Sequence, residues 1–174
     1  MYIHVYGLFI IMTIGRIEIK TMNPLIEEQQ KKNIAAKSPC ICGNLRRAGR
    51  LVTKIYDTHL QPIGIKVTQY TLLLAVQRIG PVTITKLADE VILERTACTR
   101  NLKVLEGKNL IRFQQGPDKR MKHIALTAKG VDKIKEASPL WGQAQNFIFR
   151  EVGEAQSLEL LDELTRIISL LRPE

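Results

Sequence analysis

Residues 86–107 carry the pattern that most constrains how this chain folds: two short helices separated by a tight turn. Residues 86–91, Lys-Leu-Ala-Asp-Glu-Val, predict a helix of about two turns. A second helix, rich in threonine and arginine, is predicted from Arg95 to Gly107. Two such helices joined by a tight turn are typical of a helix-turn-helix. Helical proteins also contain such pairs by chance, so the residues that follow decide the interpretation.

A β-hairpin with a basic tip is predicted directly after the second helix. Residues 110–114 predict one strand, and residues 123–126 predict the strand that returns. The loop between them, residues 115–120, contains Gly, Pro and Asp, which favour turns, followed by two cations. This order predicts a winged helix-turn-helix. The expected fold class is therefore mainly α with a small β-hairpin wing (α+β).

Two helices are predicted before this pair. An amphipathic helix is predicted within residues 38–61, with Ser38 as its N-cap and Pro39 at its first helical position. Thr68 predicts the cap of a second helix, residues 69–79, which is apolar nearly all round and therefore buried.

Two further helices are predicted in residues 128–174. The first runs from Thr127 to about Val152, with a kink expected at Pro139. The second carries apolar residues at helical spacing, namely Leu158, Leu161, Leu164, Ile168 and Leu171. The winged core needs roughly residues 69–127, so the flanking helices carry more apolar surface than one small core can cover. A symmetric homodimer would bury that surface, and a larger monomeric core is the alternative.

Residues 1–37 are predicted to be an N-terminal extension. Residues 5–14 are mostly apolar, but a bilayer span needs about 20 residues. They also lack the basic segment and cleavage site of a signal peptide. The run could form a strand or a docking segment, and Met22 offers a second candidate start. Whether residues 1–21 belong to the natural protein is left open.

Charge indicates the class of partner. The chain of 174 residues has a net charge of +9, and residues 95–122 hold eight Lys or Arg against two acidic residues. Such clustering points to a polyanion, most simply nucleic acid. Aromatic residues make up only 5%, which argues against a stacking platform for single strands. A basic membrane-surface or protein-interaction module is the alternative from another class.

Enzymatic motifs are not found in the sequence. It has no Gly-rich phosphate loop, nucleophile elbow, paired carboxylates or metal-ligand spacing. We therefore expect no catalytic residue, no metal and no cofactor. Three cysteines are too few for a secreted disulfide scaffold, so a reducing cytoplasm is the expected compartment.

Residues 38–171 resemble the MarR (multiple antibiotic resistance regulator) family of winged-helix transcription factors. Residues 85–91 resemble the first helix of the family's DNA-binding motif, and residues 94–106 resemble its recognition helix. Asp-Lys-Arg at 118–120, followed by Leu126-Thr127 and Gly130, resembles the wing and its return strand. The resemblance implies a homodimeric regulator of double-stranded DNA. Its expected role is a repressor relieved by a small ligand or by oxidation.

The DNA-contacting residues are predicted on the second helix and on the wing. The first turns of a recognition helix face base edges in the major groove, and those turns hold Arg95, Thr96, Thr99, Arg100 and Lys103. At the wing, Lys119, Arg120 and Lys122 can reach phosphate or the minor groove. Asp118 would be repelled by phosphate, so its predicted role is to hold a neighbouring arginine. A pseudo-palindromic operator is expected for a dimer.

The resemblance also suggests where an effector acts. The family's ligand pocket lies between the dimerisation helices and the winged core, which implicates Arg46, Arg50, Tyr56, His59 and Tyr70. In the branch of the family that senses organic hydroperoxides, Cys42 falls at the sensing cysteine and Tyr56 at a tyrosine partner. Arg46 and Val67 stand where further tyrosines are expected, so a structural role for Cys42 is the alternative.

Two positions depart from the family pattern. Ile92 occupies the turn between the motif helices, where Gly is frequent, and would be strained at a positive φ. Asn109 stands where the family favours Gly after the recognition helix, and Asn tolerates that conformation.

Overall fold

The computed structural model describes residues 2–5, 8–13, 16–20, 39–116 and 121–172. The chain forms two compact units, residues 1–46 and 47–174. In the first unit, strands β1 (Tyr2–Val5), β2 (Leu8–Thr13) and β3 (Arg16–Lys20) form an antiparallel sheet in that order. The apolar run predicted as a strand or a docking segment thus contains β2.

Helix α1 spans Ile41–Leu60 and begins two residues later than predicted. Cys40 takes the capping position, because its Sγ accepts from the Gly43 N–H at 3.3 Å and its carbonyl accepts from the Asn44 N–H at 3.1 Å. The helix ends as predicted, before a 3₁₀ turn at Gln61–Ile63 and Gly64 at φ 69°.

Helix α2 spans Val67–Ile79, so the prediction that Thr68 caps a helix starting at Gln69 is wrong. The cap comes from α1 instead, since the Asp57 carboxylate accepts from the Val67 N–H at 2.8 Å. The apolar residues of the helix are buried or half-buried as predicted, apart from Leu74, which is exposed.

The winged core contains the predicted elements in the predicted order, with small shifts in their bounds, and also a short strand, Val82–Thr83, that was not predicted. It contains β4 (Val82–Thr83), α3 (Ile84–Glu90), α4 (Arg95–Gly107), β5 (Ile111–Gln115) and β6 (Lys122–Leu126). The strands form an antiparallel sheet in the order β4-β6-β5. Helix α3 begins two residues earlier than predicted because the Thr83 hydroxyl caps it, accepting from the Lys86 N–H at 3.3 Å.

Two helices complete the chain, α5 (Ala128–Val152) and α6 (Glu154–Leu171). Thr127 caps α5 by accepting from the Gly130 N–H at 3.0 Å, and Pro139 lies inside that helix. The core joins α2, α3, α4, the sheet and α5. Its fully buried side chains include Leu60, Leu73, Leu87, Leu102 and Ile124.

Helices α3 and α4 end with the same backbone turn. Ile92 has φ 51° and Asn109 has φ 57°. Both residues that depart from the family pattern therefore adopt the left-handed conformation. The next N–H closes each turn, Leu93 onto Ala88 and Leu110 onto Leu105, at 2.9 and 3.0 Å. This is the hydrogen bond of a Schellman motif. Asn tolerates the conformation, whereas a β-branched residue is strained in it.

Replacing Ile92 with glycine is therefore expected to stabilise the protein. The left-handed penalty is about 1–2 kcal/mol, and Ile92 is 60% exposed, so little burial is lost. The greater entropy of glycine in the unfolded chain offsets part of the gain. We expect the free energy of unfolding, measured in urea, to rise by about 1 kcal/mol. Asn109→Gly is the matched control with a smaller change, and a destabilised Ile92→Gly protein would contradict the assignment of strain.

Candidate nucleic-acid interface

Helix α4 has one buried face and one exposed face. Cys98, Leu102 and Leu105 are fully buried, at spacings of four and three residues. Their burial sets the rotation of the helix about its axis. Burial also raises the pKa of the Cys98 thiol, which disfavours the reactive thiolate.

The predicted base-facing residues lie on or beside the exposed face of α4. Arg95, Thr96, Arg100 and Lys103 are exposed. Thr99 is half-buried, and its hydroxyl donates to the Arg95 carbonyl at 2.7 Å, which leaves its methyl group for an apolar contact. Within the described part of the chain, no acidic side chain forms an ion pair with the three cations. Their charge is available to an external anion.

The wing is described at its base. Lys122 is exposed at the start of β6, and the Gly116 N–H donates to the Met121 carbonyl at 3.1 Å. Asp118, Lys119 and Arg120 lie outside the described residues, so their roles stay predictions. A Cβ at Gly116 would lie 2.0 Å from Nδ1 of His123, so any larger residue here would force the His123 ring to move.

Arg172 is a cation that the sequence analysis did not place near the interface. Its guanidinium donates to the Asp89 carbonyl at 3.0 Å. With Arg95 and Thr85 it lines an open cavity of about 890 Å³ beside the N-terminal end of α4. Asp89 and Glu94 line the same cavity. No local pattern in the sequence could have indicated this, since 83 residues separate Arg172 from Asp89.

Two of the five predicted ligand-pocket residues lie together against α5. The Tyr56 hydroxyl hydrogen-bonds the side-chain carbonyl of Gln145, and its ring stacks on Trp141 with centroids 6.1 Å apart. Burial raises the pKa of the Tyr56 phenol. The His59 ring lies 6.4 Å from that of Phe147.

The other three residues do not join this cluster. Tyr70 is buried in the core. Arg46 and Arg50 are exposed, and Arg50 is nine residues from His59 on one helix, which at about 100° per residue places it on the opposite side. Which of these residues contact an effector stays a prediction.

Cys42 lies in the first turn of α1 and is exposed, as is Cys40. An exposed thiol at a helix N-terminus is compatible with oxidation, and a sensing role for Cys42 with Tyr56 stays a prediction. Within the described residues, no helix has both the length and the apolar character needed to cross a membrane.

Comparison with known proteins places this architecture in a family. The model of the MarR family matches residues 65–122, which include α2, α3, α4 and β5. The HTH-type transcriptional regulator SarZ of Staphylococcus saprophyticus is 30% identical over 132 residues, covering 75% of this chain and 89% of that protein. The uncharacterized HTH-type transcriptional regulator YwoH of Bacillus subtilis is 30% identical over 92 residues, covering 53% of this chain and 67% of that one.

A solved structure of a transcriptional regulator is also similar to this chain. The M. tuberculosis transcriptional regulator MosR, crystallised in complex with DNA, is 34% identical, with a TM-score of 0.65. The match covers 77% of this chain and 99% of MosR. Together with the exposed cationic face of α4 and the hairpin beside it, these matches confirm the resemblance found in the sequence. The chain belongs to the MarR family of winged helix-turn-helix transcriptional regulators.

Proposed function

We propose that this protein is a transcriptional repressor that binds a pseudo-palindromic operator in double-stranded DNA as a homodimer. The observation that carries the proposal is the exposed face of α4, where Arg95, Arg100 and Lys103 have no acidic partner among the described residues. Repression follows because a dimer bound across an operator blocks access of the transcription machinery to the same DNA.

Recognition of the operator is divided between α4 and the wing. The first turns of α4 enter the major groove, where Arg100 can donate two hydrogen bonds to O6 and N7 of guanine. The Thr96 and Thr99 methyl groups can contact thymine methyl groups. Lys122 and the cations predicted at the wing tip contact phosphate or a narrow minor groove. The helix therefore supplies most of the sequence specificity, and the wing supplies most of the salt-dependent affinity.

Dimerisation is supported by the apolar surface of α6. Leu158, Leu161 and Ile168 are exposed at helical spacing, and a second copy would bury them. In a symmetric dimer the two recognition helices contact half-sites one DNA turn, about 34–36 Å, apart.

Arg100→Ala tests the assignment of α4. A duplex is first selected with the wild-type protein from a random library, and a scrambled duplex of the same length serves as the non-specific probe. Because a bidentate contact to a base contributes about 1–3 kcal/mol, we expect affinity for the selected duplex to fall about 5- to 150-fold. Gel shift or fluorescence anisotropy measures the change.

Lys135→Ala is the control for the loss of one positive charge, because Lys135 is exposed on α5 and pairs with Asp132. We expect it to bind the selected duplex like the wild type. Equal affinity of Arg100→Ala and wild type for the selected duplex would contradict the recognition role of α4. Binding to anionic vesicles but to no duplex would favour the membrane-surface alternative.

A further inference from the structure

The C-terminal end of α4 lies at a junction between two other parts of the fold. Lys108 follows the last turn of α4, and its Nζ donates to the carbonyl of Gly64 in the connection between α1 and α2. The two residues are 44 positions apart in the chain. This contact ties the recognition helix to the end of α1.

The start of α5 packs on the same end of α4. The Thr127 hydroxyl donates to the Asn109 carbonyl at 2.7 Å, and the Thr127 N–H donates to the Leu110 carbonyl at 3.1 Å. Gly130 lies so close to Leu110 that a Cβ at this position would be 2.0 Å from the Leu110 oxygen. Residues 108–110 are thus held from two sides.

The connection between α1 and α2 is also held by α5. Lys133 donates to the Ile63 carbonyl at 3.3 Å and pairs with Glu136 at 2.5 Å. Carbonyls at the end of a helix carry partial negative charge, and cations stabilise them. Lys108 and Lys133 therefore neutralise adjacent carbonyls at the end of α1 and its 3₁₀ turn, one from α4 and the other from α5.

The N-terminal end of α4 is held differently. It follows a turn through the strained Ile92, and the Glu94 side chain makes no capping hydrogen bond. A helix of 13 residues is about 20 Å long. A rotation of about 10° around the junction would therefore move the base-reading end by about 3 Å, which is enough to break base contacts that need sub-ångström placement.

We propose that Lys108 is a positioning residue for DNA recognition, which sets the angle of α4 by tying its C-terminal end to the Gly64 carbonyl. The inference rests on the proposed function, since it assumes that α4 reads bases. Lys108 acts through the helix and does not contact DNA itself.

The experiment compares Lys108→Met with the wild type on the selected and the scrambled duplexes. Loss of the contact misplaces α4, so we expect the ratio of specific to non-specific affinity to fall about 10-fold. We expect affinity for the scrambled duplex and the slope of log K against log salt to stay unchanged. Lys108→Arg keeps a cationic donor and is expected to restore the ratio. Lys135→Met, which removes a charge from an exposed pair, is the matched control.

Three results would overturn the inference. If Lys108 contacts phosphate, Lys108→Met weakens both duplexes equally and lowers the salt slope by about 0.9. If its role is only structural, thermal stability falls and the affinity ratio does not change. If the wild type selects no duplex, the proposed function itself fails, and the inference fails with it. Should Lys108→Met not fold, Lys108→Gln removes the ammonium donor but keeps a polar side chain at this exposed position, and it is expected to lower the same ratio.

Discussion

Replacing Leu161 with arginine is expected to give a folded monomer with operator affinity lowered at least 100-fold. Leu161 is 47% exposed on α6, three residues from Leu158 and seven from Ile168, which are half exposed as well. In the proposed dimer this face meets the second copy, and a buried unpaired guanidinium there carries a large desolvation cost. Because the dimer contacts two half-sites at once, dissociation removes an avidity gain of about 10²–10⁴.

Sedimentation at micromolar concentration measures the oligomeric state, and anisotropy on the selected duplex measures affinity. Glu159→Arg is the matched control, because Glu159 lies on the charged side of the same helix and is exposed. That variant changes the charge more than Leu161→Arg does, yet we expect it to remain dimeric. A dimeric Leu161→Arg protein would show that α6 does not form the interface.

Replacing Gly130 with alanine is expected to lower the free energy of unfolding by about 3 kcal/mol. The added Cβ would lie 2.0 Å from the Leu110 oxygen and 3.3 Å from the Leu126 side chain. A backbone carbonyl cannot rotate away as a flexible side chain can, so α5 or the end of α4 must shift. Since Leu110 belongs to the junction that holds α4, operator affinity is expected to fall as well.

Gly142→Ala in the same helix is the matched control, because no atom lies within 4 Å of a Cβ placed there. Alanine has the higher helix propensity, so we expect this variant to be stabilised by about 0.5–1 kcal/mol. Urea unfolding followed by circular dichroism measures both changes. Equal stability of Gly130→Ala and wild type would contradict the close packing of α5 on Leu110.

Periodicity in the sequence was sufficient to predict a helix where buried residues repeat at regular intervals. The bounds of α4, Arg95–Gly107, agree with the prediction, because Cys98, Leu102 and Leu105 must face the core together. The left-handed conformation at Asn109 also agrees, because few residue types tolerate it. The cap of α2 was predicted wrongly because Thr68 is a good local cap, whereas the actual acceptor, Asp57, lies ten residues earlier on another helix.

The sequence by itself determined the order of the elements, the exposed cationic face of α4 and the family. These depend on apolar spacing and residue type, which are local properties of the chain. Only the tertiary structure decided that Tyr56 pairs with Gln145, 89 residues away, and that Lys108 reaches Gly64. It also decided that Gly130 must lack a side chain. Each of these depends on which surfaces meet when helices pack, and residue spacing along the chain carries no information about such distant contacts.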